Sequence, residues 1–203
     1  MDWQEQYHSK HGAIQEAYHV FIKSGLDLFK DQELSILEIG FGTGLNAFIT
    51  FIEYEKRNLQ IKYTGVEAYP VSAEELEQLN YLEELNSVSR KDDFDLMHAS
   101  SWGQEIEITS NFKLTKQQKL FKDIEDINTY DLVYFDAFGA RVQPELWTVE
   151  IFQIMFNAMK SGGTLVTYAA KGSVRRAMLE VGFLVERLPG PPGKREMLRA
   201  KKQ

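Results

Sequence analysis

The sequence predicts an α/β fold with a mostly parallel sheet, an antiparallel C-terminal end and an inserted hairpin. Three observations predict it. Apolar, β-branched runs alternate with stretches of helical periodicity, the pattern of strands joined by crossover helices. The last two strand-like runs follow one another across a short turn, which only antiparallel neighbours allow. No internal repeat, low-complexity tract or Pro/Ser-rich linker divides the 203 residues, a length that suits one ordinary domain, so a single domain over 1–203 is expected.

The elements follow in order. Residues 1–30 read as a helical segment: "AIQEAYHVFIKSGL" sets Ile14, Ala17, Phe21 and Ile22 at helical spacing and stops at Gly25, a residue suited to a C-terminal cap. Then come "LSILEIG" with the helix "LNAFITFIEYEK", "IKYTGVEA" with "SAEELEQLNYLEEL", and "YDLVYFDAF" with "ELWTVEIFQIMFNAMK". "GTLVTYAA" precedes the helix "GSVRRAMLEVG", and "FLVERL" and "REMLRA" close the chain. Residues 91–124 break the rhythm, because "EIEIT" and "FKLTK" alternate around "SN" as a hairpin would.

Composition excludes several functions. The absence of cysteine rules out disulfides, thiolate metal sites and cysteine nucleophiles. No apolar run approaches the roughly 20 residues that span a bilayer, and the polar start "MDWQEQYHSKHG" lacks the pattern of a signal peptide, so a cytoplasmic protein without membrane contact is expected. His8, His11 and His19 lack a companion carboxylate cluster, so no metal is expected and they read as structural or substrate-loop residues. The net charge of −7 conceals an asymmetry: residues 160–203 carry ten Lys or Arg against three Glu, leaving −14 on residues 1–159. A basic C-terminal segment on an acidic body suits local contact with a polyanion.

The first strand-to-helix turn, "ILEIGFGTGLNAF" (36–48), carries Gly40, Gly42 and Gly44 where a doubly wound sheet binds its ligand. The spacing G-x-G-x-G departs from the dinucleotide fingerprint G-x-G-x-x-G, and no lysine follows Gly44, which disfavours NAD, FAD and nucleoside triphosphates. From Glu38 to Gly44 the spacing E-x-G-x-G-x-G resembles the first motif of Rossmann-like class I methyltransferases that use S-adenosylmethionine. The resemblance implies that the main chain of this turn lies against the cofactor and that Glu67, at the next strand end, accepts the ribose hydroxyls. Phe41 and Asn46, in and just after the turn, complete the expected cofactor set.

Further strings narrow the resemblance. "YHSKHGAIQEAYHVF", "VYFDAFGARVQPELW", "GGTLVTY", "GSVRRAMLEVGF" and "GKREML" are similar to the methyltransferase half of the bifunctional tRNA-modifying MnmC family, a half that also occurs alone as MnmD. The family likeness implies methylation of the exocyclic amine of 5-aminomethyl(-2-thio)uridine in a tRNA anticodon loop, without the FAD-dependent module that makes this amine. It makes Asp136 the catalytic carboxylate, a role the chemistry supports, because positive charge passes from the sulfonium to the attacking nitrogen. An alkylamine with a pKa of about 10.4 must also lose a proton before attack. Phe138 and Trp147 are candidates for stacking on the base, although Trp147 also starts a helix with core spacing. Arg175, Arg176, Lys194, Arg195 and Arg199 are candidates for the phosphates.

Two departures stand out. No Gly-Asp pair marks the adenine side, where the strand end is either "MHASSW" or "TKQQKLF" and Ser100, Ser101 or Gln118 are the substitutes; and Ala140 replaces a proline of the catalytic loop. A small-molecule amine methyltransferase and a catalytically silent cofactor- or RNA-binding module remain alternatives.

Overall fold

The computed structural model describes the backbone of residues 10–203 and side chains from residue 12 onward; the expectations for His8 and for the side chain of His11 lie outside the described residues. Eight strands form one sheet: β1 (Glu33–Ile39), β2 (Gln60–Glu67), β3 (Glu105–Thr109), β4 (Phe112–Gln118), β5 (Tyr130–Phe135), β6 (Met159–Thr167), β7 (Leu184–Pro189) and β8 (Glu196–Lys201). Their order is β3-β4-β2-β1-β5-β6-β8-β7. The pairs from β4 through β6 are parallel, whereas β3 with β4 and β8 with both its neighbours are antiparallel. The expected fold class is therefore present.

The inserted hairpin needs correction. The hairpin forms, but β4 pairs parallel with β2 from Ile61↔Phe112 to Glu67↔Gln118, so its second strand is a full member of the sheet and only β3 is additional. Residues 91–99 are helical, because Phe94 and Met97 bury on one side while Asp92 and Asp93 stand in the first turn.

Both faces of the sheet are covered. Helices α1 (Lys10–Ala17) and α2 (Leu45–Glu53) and the later α5 (Lys91–Ala99) lie on one face. Two short helices, α3 (Ala73–Leu76) and α4 (Tyr81–Glu84), precede α5; α6 (Val149–Ala158) and α7 (Gly172–Glu180) cover the opposite face. Alternate residues of each central strand serve opposite cores: Leu34, Ile36, Leu132 and Tyr134 join Phe21, Phe48 and Phe51, while Leu37, Ile39, Val133 and Phe135 join Phe152, Met155 and Met178.

Three local differences have physical reasons. The first helix passes into a π-helical turn over Tyr18–Lys23, which buries the consecutive Val20, Phe21 and Ile22. Gly25 is not a left-handed cap: its φ is −118°, and a Cβ there would lie 2.6 Å from the Phe21 carbonyl oxygen and 3.1 Å from Val166, so its role is close approach. The helix expected over "SAEELEQLNYLEEL" splits into α3 and α4, since Tyr81 is the one side chain of the two that is buried and short helices without a buried face are marginal.

Candidate active site

The parallel strands all end on one edge of the sheet, and β1 separates β2 on one side from β5 on the other, the switch point at which ligands bind in such sheets. The glycine turn occupies this point. Gly40, Gly42 and Gly44 have φ of 87°, 49° and 74°, the left-handed region that side chains disfavour. At Gly40 a Cβ would lie 2.6 Å from the Asp136 carbonyl oxygen, so this glycine lets the ends of β1 and β5 touch. At Gly42 the nearest atom is 3.9 Å away, and the position faces open space.

The turn is held from three sides. Glu67 accepts the Gly42 amide at 3.1 Å on one carboxylate oxygen and the Tyr69 amide at 3.0 Å on the other, which leaves lone pairs for two further donors such as a diol. The ring nitrogens of His98 stand 3.0 Å from the Thr43 carbonyl oxygen and 2.8 Å from that of Phe94. The Thr43 hydroxyl meets the Tyr81 hydroxyl at 2.8 Å. Phe41 is buried beneath the turn, where its ring fills the space that a side chain at Gly65 would need and meets Trp102 edge-on. It offers the site main chain only.

Glu38 is fully buried and does not reach the surface of the turn. It accepts hydrogen bonds from Asn46 Nδ2 at 2.9 Å and the Tyr63 hydroxyl at 2.8 Å, while burial holds its pKa well above the carboxylate range. Asn46 Nδ2 also donates to Asp136 Oδ2 at 2.8 Å. The Glu38 and Asn46 of the expected cofactor set thus form a scaffold under the turn that ends on the expected catalytic carboxylate. Asp136 follows β5, and crowding by protein atoms pushes its pKa up to about 6; the Asn46 hydrogen bond and the Lys194 charge oppose this, and Glu16 adds to it. A carboxylate in that range exchanges protons near neutral pH, as a general base must.

The loop after Asp136 is ordered without the proline: Val142 and Gln143 donate their amides to the Gly139 carbonyl at 2.8 and 3.1 Å, and Lys171 reaches the Ala140 carbonyl. Phe138 projects from it, 46% exposed. Trp147 does not, and its stacking role is corrected. It is buried against Phe135, Phe152 and Tyr168, and its indole donates to the Phe138 carbonyl at 2.8 Å, so it supports the loop from the core. It precedes α6 instead of starting it, because Thr148 caps that helix.

Of the two strings expected on the adenine side, "TKQQKLF" ends the strand next to β2: Gln118 lies in register with Glu67, and the Lys119 amide donates to the Glu67 carbonyl. Ser100 closes α5 by donating to the Met97 carbonyl.

The basic residues divide. Arg175 and Arg176 lie in the first turns of α7, which starts from the same edge of the sheet, and Arg195 is exposed in the turn between β7 and β8. Lys194, in that same turn, donates to Glu16 at 2.6 Å and stands 4.0 Å from the centre of the Tyr168 ring. Arg199 is not with them: it lies within β8, bound to Glu186 and the Ser24 carbonyl. Sequence reasoning missed Tyr63, Tyr81, His98, Glu16 and Tyr168, whose partners lie far away along the chain; the polar Asn46 in the first turn of the largely apolar α2 was a local signal of a buried network.

Residues 98–203 match the model of a family described as S-adenosyl-L-methionine-dependent methyltransferases. The chain is 29% identical, over 97% of its length, to the tRNA 5-methylaminomethyl-2-thiouridine biosynthesis bifunctional protein MnmC of Paracidovorax citrulli. It is 31% identical, over 95% of its length, to the protein of that name from Leptospira interrogans. It spans about a third of each, 32% in both cases. Among solved structures, MNMC2 from Aquifex aeolicus superposes with a TM-score of 0.70 and 25% identity, covering 96% of this chain and 63% of that one. Spermidine synthase from Thermotoga maritima shares the fold, with a TM-score of 0.57 at 13% identity over 94% of this chain and 60% of that one.

Proposed function

This chain belongs to the S-adenosyl-L-methionine-dependent methyltransferases, and from that premise we propose that it methylates the exocyclic amine of 5-aminomethyl(-2-thio)uridine at the wobble position of tRNA. The observation that carries the proposal is the placement of Asp136, a proton-accepting carboxylate on the rim of the glycine turn. The similarity to MnmC proteins along nearly the whole chain supplies the substrate class. On this reading the 203 residues act as one methyltransferase unit in the cytoplasm, with no metal and no FAD in the step.

The turn over Gly40–Gly44 would hold the methionine and ribose portions of S-adenosylmethionine, Glu67 would accept the ribose hydroxyls, and Gln118, in register with Glu67, would face the adenine. No metal is needed to generate the nucleophile, since an amine attacks once its proton is gone. Asp136 takes that proton and passes it to solvent; the free amine would then accept the methyl group that S-adenosylmethionine supplies, with the re-ionised carboxylate stabilising the charge that develops on nitrogen. Phe138 stacks on the unpaired base, and Arg175, Arg176 and Arg195 face the phosphates.

The test is label transfer. The purified protein with methyl-labelled S-adenosylmethionine should label tRNA from a strain that lacks its gene, and leave tRNA from the parent strain unlabelled. Label found only in free amines refutes the RNA substrate, and absence of any turnover refutes the enzyme.

A further inference from the structure

Lys194 has an unusual position for a phosphate contact. Its side chain is only 39% exposed, although the residue lies on a surface turn, and its ammonium is spent on protein groups. Glu16 from α1 binds it at 2.6 Å, and the Tyr168 ring lies 4.0 Å below it, well inside the distance at which a cation is attracted to an aromatic face. Tyr168 is itself fixed, because its hydroxyl donates to the Ala137 carbonyl at 2.8 Å and Trp147 packs edge-on against its ring. Ala137 is the residue after Asp136, and both the Lys194 and Glu16 charges are near enough to shift the Asp136 carboxyl, the first downward and the second upward.

One carboxylate and one aromatic face hold a single primary ammonium carried by a methylene chain, and a second carboxylate, Asp136, precedes the residue whose carbonyl fixes that aromatic ring. The proposed substrate brings a group of the same chemistry, an ammonium on a methylene, and brings it to Asp136. We propose that Glu16, Tyr168 and Asp136 form the subsite that receives the substrate's alkylammonium, and that Lys194 occupies this subsite until the substrate displaces it.

The inference rests on the amine substrate proposed above and adds the residues that select it. Without Lys194 the subsite holds two negative charges beside an aromatic face, and a cation restores balance. The substrate ammonium enters as Lys194 leaves, Glu16 and Tyr168 hold it by charge and ring face, and Asp136 then removes its proton. Lys194, released into solvent on an exposed turn, is free to meet a phosphate. An internal occupant lowers apparent affinity in proportion to the time it is seated, so small free amines are kept out, whereas a tRNA brings additional contacts that outweigh the exchange.

The probe is n-butylammonium chloride, titrated calorimetrically into protein saturated with S-adenosylhomocysteine, so that no transfer occurs. Lys194→Met removes the charge and keeps the length, and should bind the probe about tenfold more tightly than the parent, the size expected when one competing cation is withdrawn. Adding Glu16→Gln to Lys194→Met should abolish the gain. Tyr168→Leu in the same background should do so too, with the melting temperature reporting whether that variant is folded; Glu16→Gln, on a half-exposed helix face, decides the matter if it is not. Equal affinity in the parent and Lys194→Met overturns the proposal and leaves Lys194 a phosphate contact. The labelling assay reads the reaction separately. Unlabelled tRNA with the tenfold gain present sinks the RNA substrate and leaves the subsite standing, whereas labelled tRNA without the gain sinks the subsite alone.

Discussion

Asn46 and Asp136, 90 positions apart in sequence, are joined by a 2.8 Å hydrogen bond whose donor nitrogen also serves the buried Glu38. The amide thus ties the base of the glycine turn to the carboxylate at its rim.

Asp136→Asn keeps the shape and an acceptor for Asn46 but removes the charge. Turnover should fall by about 10²-fold or more, the usual loss for a general base or an electrostatic stabiliser, with cofactor affinity little changed. The parent's rate should rise with pH along an acid limb near 6, where the carboxyl ionises. Stability should move the other way. The folded-state pKa is raised from 3.8 to about 6, so the group favours folding most below 4 and that contribution is lost as pH rises through 6. Asp136→Asn should therefore melt higher than the parent at pH 8 and no higher at pH 4, as calorimetry would record; a lower melting temperature at pH 8 argues for a structural carboxylate.

Asn46→Leu removes the donor from two crowded carboxyls at once. The loss should cost about 1–3 kcal/mol of stability, as for other buried acceptors left unpaired. The Asn46 hydrogen bond holds the Asp136 pKa down, so the acid limb of the rate profile should shift to higher pH in this variant. An unmoved limb, measured by single-turnover rates, would show that the carboxylate does not feel the amide.

Gly42→Val places a branched side chain in open space beside the turn, at a φ of 49° that valine resists. The fold should survive and S-adenosylmethionine binding should be lost, measured by titration calorimetry with circular dichroism as the control. Undiminished affinity would mean that the cofactor does not lie over this turn.

Charge reversal of Arg176 and Arg195 to Glu should weaken tRNA binding and flatten its dependence on salt. For every phosphate that is no longer neutralised, the logarithmic slope should fall by about 0.7 to 0.9. Cofactor affinity should be untouched, since the side chains that hold the glycine turn are Glu67, Tyr81 and His98 and neither arginine is among them. A slope identical to the parent's would assign both to a solvated edge.

The sheet was legible because its signals are local and repeated: each central strand alternates between two cores, and the three glycines after β1 mark a turn in which each holds a positive φ. Glu67 and Asp136 were singled out through the family resemblance, and both stand at strand ends on the edge that carries the glycine turn. The hairpin was read as an insertion because its strands alternate like a solvent-facing pair, although β4 lies inside the sheet with Lys116 buried; the polar residue that spoiled the pattern reaches the His98 carbonyl and the Trp102 ring. Trp147 was ambiguous because an indole that packs and an indole that stacks on a base look alike until its N–H partner is known. The groups around Lys194 were beyond any spacing rule, since nothing in the sequence near Glu16 or Tyr168 points to the other.

The bond between Glu16 and Lys194 joins residues 178 positions apart, and nearby His19 reaches the Pro189 carbonyl at 2.8 Å. β8, which begins just after Lys194, lies between β6 and β7 and pairs with both. The clasp between Glu16 and Lys194 therefore closes only when the turn into β8 has been made, while the glycine turn, Asp136 and Tyr168 all emerge earlier. On the subsite proposed above, a chain clipped ahead of Lys194 would keep Glu16, Tyr168 and Asp136 but lose the ammonium that occupies the place between them. Discrimination against small free amines would then be the last property the chain acquires, since it depends on the turn that leads into β8.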